Sequence, residues 1–183
     1  AQEGESILLS DLELASRLSF FLWSSLPDEE LLTLANEKKL GEPAVLKAQI
    51  SRMIADDRAK TLVEDFAFQW LNLAKLDEIT PNGGLFRYAS RFLDPRPMFK
   101  QELSLFIDSI LRSDQSVVRL LDSDYTFLNE RLAAHYGIEN VKGSAFRKVS
   151  LEDEYRKGLL GKGAILMLTA NPNRTSPVLR GAW

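Results

Sequence analysis

Six polar residues in the second half of the chain carry the side chains best suited to chemistry: Asp124, Asn129, Glu130, Arg131, His135 and Arg174. His135 is the only histidine in the chain. Imidazole normally titrates near neutral pH, so this side chain can act as a base or bind a haem iron. The chain could also be an enzyme domain that acts on a polymer by hydrolysis or oxidation. Such a domain would need one cleft that contains at least two of the residues Asp124, Glu130, His135 and Arg174.

Each of these residues also has a purely structural interpretation. His135 lies near the end of a predicted helix over 127–136, where a helix dipole favours a cation, and Asp124 is placed to cap the start of that helix. Glu130 and Arg131 are adjacent and cannot face each other, so each is expected to pair with another segment. Arg174 lies in a polar loop before Ser176, which is placed to cap a final helix, although the start of that helix with Arg174 nearby could also hold an anion. The sequence leaves both interpretations open.

Composition excludes several kinds of site. The 183 residues include no cysteine, which rules out disulfides, thiol nucleophiles, cysteine-ligated metals and covalently attached c-type haem within this chain. A single histidine excludes multi-histidine metal sites, so no metal site is predicted. Residues 158–163 fail the phosphate-loop pattern in their spacing, and their glycines are expected to serve close packing. Residues 122–133 lack the glycine and the terminal glutamate of a calcium loop.

Charge and hydropathy limit the kinds of partner that the chain is expected to bind. The formal charge is −3, and no basic run with interleaved aromatic residues occurs, so nucleic-acid binding is not expected. The longest apolar stretch, residues 159–170, is far shorter than the roughly 20 residues that span a bilayer, and it contains Lys162. No membrane span is therefore predicted.

The elements that must position these residues are predicted to be helices. Ser10 and Glu13 have capping-box spacing before a first helix, and later apolar stripes recur at helical spacing as far as residue 136. The aromatic side chains on these stripes are expected in the core: Trp23, Phe66, Trp70 and Phe106. The sequence therefore predicts an all-α fold, an irregular multi-helix bundle.

A few segments depart from that pattern. Residues 81–84 must turn, and residues 146–151 predict a short strand or extended piece. Residues 159–168 fit an apolar helix or a buried strand. Residues 176–183 have the pattern of a helix that is just beginning, so we expect the chain to be cut from a longer protein.

Three separated motifs resemble known families. Residues 14–28 (LASRLSFFLWSSLPD) are similar to the opening of domain of unknown function 1592, and residues 124–138 (DYTFLNERLAAHYGI) to its closing motif. Residues 158–180, with LTANPNRTSP, resemble the start of domain of unknown function 1588. The resemblance implies a helical domain over 1–140 and the start of an adjoining domain over 141–183, truncated and packed on the first.

The resemblance implies a location and neighbouring domains for this chain, and it implies no particular reaction. Both families occur in large secreted, planctomycete-type proteins that carry c-type cytochrome segments, so the chain is expected to be periplasmic or secreted. Its expected function is a non-catalytic module that packs against a downstream haem-binding segment of the same parent or against another protein domain. The haem would belong to the parent, with no cofactor in this chain, and His135 could supply a distal haem ligand. An enzyme domain and a plain interaction scaffold remain alternatives.

Overall fold

The computed structural model describes residues 8–80, 82, 94–152 and 154–183. It confirms a mostly α-helical, irregular fold. The chain divides into two compact units, residues 1–67 and 68–183. The predicted division near residue 140 stays a prediction about family segments, and the residues on both sides of it belong to the second unit. The predicted turn at 81–84 lies, apart from Asn82, outside the described residues.

The first unit is built from three α-helices, which are followed by a short 3₁₀ turn and a π-helix. These are α1 (Asp11–Trp23), α2 (Glu29–Asn36), α3 (Pro43–Ala55), a 3₁₀ turn (Asp57–Ala59) and a π-helix (Leu62–Ala67). The predicted capping box is present, because Ser10 Oγ accepts a hydrogen bond from the Glu13 amide while the Glu13 carboxylate accepts from the Ser10 amide. At the start of α2, Asp28 Oδ1 accepts a hydrogen bond from the Leu31 amide and so caps that helix.

Trp23 is the centre of the first unit's core, as predicted. Its ring is buried, and its indole Nε1 donates a hydrogen bond of 2.9 Å to the carbonyl oxygen of Met53 on α3. The Arg58 guanidinium lies 3.4 Å from the ring centroid, a cation–π contact. Arg52 donates two hydrogen bonds to Asp28, so the charged groups around Trp23 also tie α2 to α3.

The second unit combines helices with two small two-stranded antiparallel sheets. Its helices are α4 (Phe68–Trp70), α5 (Arg96–Arg112), α6 (Arg119–Asp122), α7 (Glu130–Tyr136), α8 (Gly163–Leu168) and α9 (Pro177–Ala182), with 3₁₀ turns at Leu73–Asp77, Glu154–Arg156 and Leu159–Gly161. Its strands are β1 (Tyr125–Leu128), β2 (Arg147–Ser150), β3 (Ala170–Asn171) and β4 (Arg174–Thr175). Strand β1 pairs with β2, and β3 pairs with β4. The extended segment predicted at 146–151 is therefore confirmed, and residues 159–168 form a 3₁₀ turn and a helix.

Helix α5 runs through the core of the second unit. Its buried side includes Phe99, Leu103 and Phe106, spaced as expected for one face of a helix. The Phe106 ring lies 5.6 Å from the ring of Tyr125 on β1, and Phe106 is fully buried. This face of α5 therefore holds both the β1–β2 sheet and, through Phe99, the start of α8.

Two predicted core aromatics, Phe66 and Trp70, lie at the surface instead. Phe66 is 54% exposed and Trp70 is 61% exposed. Residues 62–67 form a π-helix, whose wider turn changes the spacing on which an i, i+3, i+4 stripe depends. Val63 and Ala67 occupy the buried side, and Phe66 instead meets the Phe21 ring edge-on at 6.0 Å.

The predicted helix over 127–136 begins later, at Glu130. Residues 125–128 are a strand because they pair with β2, which lies 19 to 25 residues further along the chain. Asp124 is consequently not the helix cap. Asn129 caps α7, with its Oδ1 accepting a 2.9 Å hydrogen bond from the Leu132 amide.

We predict that Phe106→Ala lowers the free energy of unfolding of the second unit by about 3–5 kcal/mol, because it removes a fully buried ring. Trp70→Ala, matched in deleting an aromatic ring, should cost less than about 1 kcal/mol, since most of that side chain is already in water. Urea unfolding followed by circular dichroism measures both. Equal losses for the two variants would contradict the observed burial.

We also predict that Asn129→Ala lowers stability by about 1 kcal/mol through loss of the α7 cap. Asp124→Ala should change stability by less than about 0.5 kcal/mol, because its contact with Arg119 is at the surface. The same denaturation experiment compares them. A larger effect at Asp124 than at Asn129 would restore the original assignment of the cap.

Candidate functional site

The second unit contains a cavity of about 540 Å³. Its walls come from α5, α7, α8, α9 and the β3–β4 hairpin. Phe99, Leu166 and Met167 give it an apolar side. His135 and Arg174 are among its polar lining residues, so the structure brings two of the six predicted site residues together.

His135 forms part of the cavity wall from its place in the last turn of α7. The imidazole is partly buried, and its ring centroid lies 5.5 Å from that of Phe99 and 5.6 Å from that of Tyr136. Burial, together with the positive charge of Arg156, holds the pKa of His135 below its ordinary value. Both effects favour the neutral form of the imidazole.

Three guanidinium groups line the same cavity: Arg156, Arg174 and Arg180. Arg156 lies 4.4 Å from the Tyr136 ring centroid, and Arg180 Nε donates to Thr169 Oγ1 at 3.3 Å. Arg174 is exposed on β4 at the edge of the cavity. Among the side chains that the structure describes, no carboxylate lies within 4.0 Å of any of the three.

A buried polar network lies behind this wall. The Tyr136 hydroxyl donates a 2.5 Å hydrogen bond to Glu102 Oε2 and accepts one of 2.9 Å from the Gly163 amide. Thr126 Oγ1 donates to Glu102 Oε1, also at 2.5 Å. The carboxylate, which has no exposed surface, thus joins α5, β1, α7 and α8.

Lys162 completes the network from the residue before α8. Its side chain is 1% exposed, its Nζ donates to the Tyr125 carbonyl oxygen at 3.1 Å, and the ammonium lies 4.2 Å from the Phe106 ring centroid. Burial lowers the pKa of Lys162 to about 8, and the charge of Glu102 opposes that shift. Burial also raises the pKa of Glu102, and burial followed by the Glu102 charge raises that of Tyr136.

Comparison with known proteins gives a family. The family model described as "PSD4: Protein of unknown function (DUF1592)" matches residues 9–138. The chain belongs to this family. The chain matches no curated protein and no solved structure.

The DUF1592 segment, residues 9–138, and the residues after it build the cavity together. His135 and Tyr136 come from the segment, whereas Arg174 and Arg180 follow it. The closing motif therefore contributes one wall, and chain beyond the family match contributes another.

The glycines at 158 and 163 serve close packing, as predicted. A Cβ atom on Gly163 would overlap the Phe99 ring and the Tyr136 hydroxyl. Gly158 has a φ of 58° and lies against the Leu121 backbone, so both its dihedral and its surroundings favour glycine. The tight approach at Gly163 is what lets its amide reach Tyr136.

The other four predicted site residues of this DUF1592 family member lie elsewhere. Asp124 accepts a hydrogen bond from Arg119 at 3.1 Å. Glu130 accepts from the Gly143 amide at 2.8 Å and from Lys142. Asn129 caps α7, and Arg131 is exposed on that helix. The two acids thus do not converge with His135 and Arg174 on one cleft.

Sequence reasoning missed the buried network and two of the cavity's arginines. Lys162 gave a signal, since it interrupts the apolar stretch 159–170. Glu102 gave another, because it follows Phe99 by three residues and precedes Phe106 by four, on the apolar face of α5. Arg156 and Arg180 carry no such signal, since nothing local brings them to a shared cavity.

Two kinds of feature are absent from the residues that the structure describes in this family member. No helix in that part of the chain is both long and hydrophobic enough to cross a bilayer. The described ranges also contain no cluster of three or more side chains able to hold a metal ion.

We predict that stability rises between pH 8 and 9.5 because of Lys162. Its folded-state pKa of about 8 lies below its ordinary 10.5, so in this range the unfolded chain holds a proton that the folded chain has released. The free energy of unfolding then increases with pH. Urea titrations at several pH values should show this slope in the wild type and a smaller one in Lys162→Met.

Lys75→Met is the matched control, since it removes an exposed lysine of the same unit. It should keep the wild-type slope. If Lys162→Met keeps that slope as well, the pKa shift assigned to Lys162 is wrong.

Proposed function

We propose that this chain is a non-catalytic helical module of a secreted or periplasmic c-type cytochrome-like protein. In that protein it packs against a haem-binding domain that follows it. Residues 141–183 then form the start of the domain adjoining the DUF1592 segment, and residues 158–180 carry its resemblance to domain of unknown function 1588.

The observation that carries this proposal is the way the chain continues past the family match. Lys162 and Gly163, which follow the match by more than 20 residues, bind the Tyr125 carbonyl and the Tyr136 hydroxyl of the closing motif. These bonds are buried or partly buried, and they place both segments in one compact unit. Such integration supports two adjoining segments that work as one module.

The residues of this chain do not fit a covalently bound c-type haem. That attachment needs two cysteines, and the sequence contains none. The proposal therefore assigns the haem to the neighbouring domain and gives this chain the function of packing against it.

Exposed apolar side chains of the second unit support a packing function. Val117 is 71% exposed, Leu121 66% and Leu160 49%. The backbone joins their two segments, because the Gly158 amide donates to the Ser123 carbonyl oxygen just after α6. Apolar surface of this kind is typical of interaction sites when it is contiguous. The same observation favours the second candidate function, a plain interaction scaffold.

The positions of the acids favour a module over the enzyme alternative. Asp124 and Glu130 pair with surface partners, and the cavity that His135 and Arg174 line has no acidic residue among those described. An acid–base pair drawn from those four residues would need an acid in that cavity.

Hydrogen exchange on the natural, longer parent protein tests the proposal. Amides of residues 117–121 should exchange at least tenfold more slowly when the following domain is present than in this chain alone, since packing would exclude water. The parent should also show a c-type haem spectrum. A parent without haem would leave only the scaffold function, and unchanged exchange throughout this chain would remove the packing proposal.

A distal-ligand function for His135 stays a prediction. In the haem-loaded parent, His135→Ala should shift the Soret band and the midpoint potential if the imidazole reaches the iron. An unchanged spectrum and potential would refute it. Arg131→Ala, on the same helix but outside the cavity, is the matched control.

A further inference from the structure

We infer that the cavity of the second unit binds a small amphipathic organic anion: a carboxylate head on an apolar body. This inference goes beyond the proposed function and does not depend on it, because every residue concerned belongs to this chain.

The charge of the cavity selects the head group. Arg156, Arg174 and Arg180 line it, and none of its described lining residues is acidic. No described carboxylate comes within ion-pair distance of these guanidinium groups. A guanidinium binds a carboxylate through two parallel N–H donors, which makes a carboxylate the natural counterpart.

The apolar lining residues select the body of the ligand. Phe99 is almost fully buried, and Leu166 and Met167 of α8 extend its apolar surface. The volume of about 540 Å³ lies within the ~300–1,000 Å³ of ordinary small-molecule pockets. The partly buried imidazole of His135, packed near the Phe99 ring, extends the same wall.

The exposure of the lining residues gives the ligand a direction. Arg174 and Thr175 are exposed on β4, whereas Phe99 and Gly163 are buried. The head group would therefore lie towards the β3–β4 hairpin, with the apolar body pointing towards α5 and α8. The bond from Arg180 Nε to Thr169 holds one guanidinium in place before any ligand arrives.

Isothermal titration calorimetry with decanoate tests the inference. Two probes with the same apolar body serve as controls: decanol, which is neutral, and decyltrimethylammonium, which is positively charged. Decanoate should bind at least tenfold more tightly than decanol, and the cation should not bind. Equal affinity for decanoate and decanol, or no heat from millimolar decanoate, would overturn the proposal.

Variants then locate the site. Arg174→Gln should weaken decanoate binding about tenfold, the usual loss for one charged hydrogen-bonded contact, and should leave decanol unaffected. Arg131→Gln, which removes an exposed arginine outside the cavity, should bind decanoate like the wild type. Ala170→Phe, which fills the cavity from β3, should bind neither probe.

Circular dichroism shows whether each variant is folded, and Arg174 is exposed, so its replacement should leave the fold intact. Equal effects of Arg174→Gln and Arg131→Gln would place the binding outside this cavity and overturn the assignment. A parent without haem would leave all these results unchanged.

Discussion

The buried charges of Glu102 and Lys162 constrain the second unit more than any other feature. Both side chains are almost completely buried. An isolated charge is very costly in the protein interior, so each side chain needs partners in the folded chain. Glu102 finds them in Thr126 and Tyr136, and Lys162 in the Tyr125 carbonyl. Removing one member of such a buried set typically costs about 3–5 kcal/mol. These bonds therefore tie α5, β1, α7 and α8 to one another.

That arrangement also shapes the cavity. Tyr136 uses its hydroxyl in the network and one face of its ring against Arg156, while the same residue lines the cavity wall. Gly163 brings α8 close enough to donate to that hydroxyl. A change in the network would thus move α7 relative to α8, and with them His135 and Met167.

The chain belongs to the DUF1592 family, and residues that follow the family match pack against its closing motif. The second unit is completed by residues that follow the family match. The two proposals concern different parts of this unit: exposed apolar side chains on and near α6, and a cavity lined by three arginines. Because these parts do not share residues, the two proposed functions are compatible.

The sequence by itself determined the features that depend on near neighbours. Helix starts at Ser10 and Ser176, the mostly α-helical class and the tight packing of the glycines all follow from local caps, periodicity and the absence of a side chain. Only the tertiary structure decided what depends on distant partners. Residues 125–128 became a strand because β2 pairs with them, and Phe66 reached the surface because a π-helix replaced the regular turn. Arg156, Arg174 and Arg180 share a cavity because folding brings together segments with no local relationship, and spacing along the chain carries no record of that.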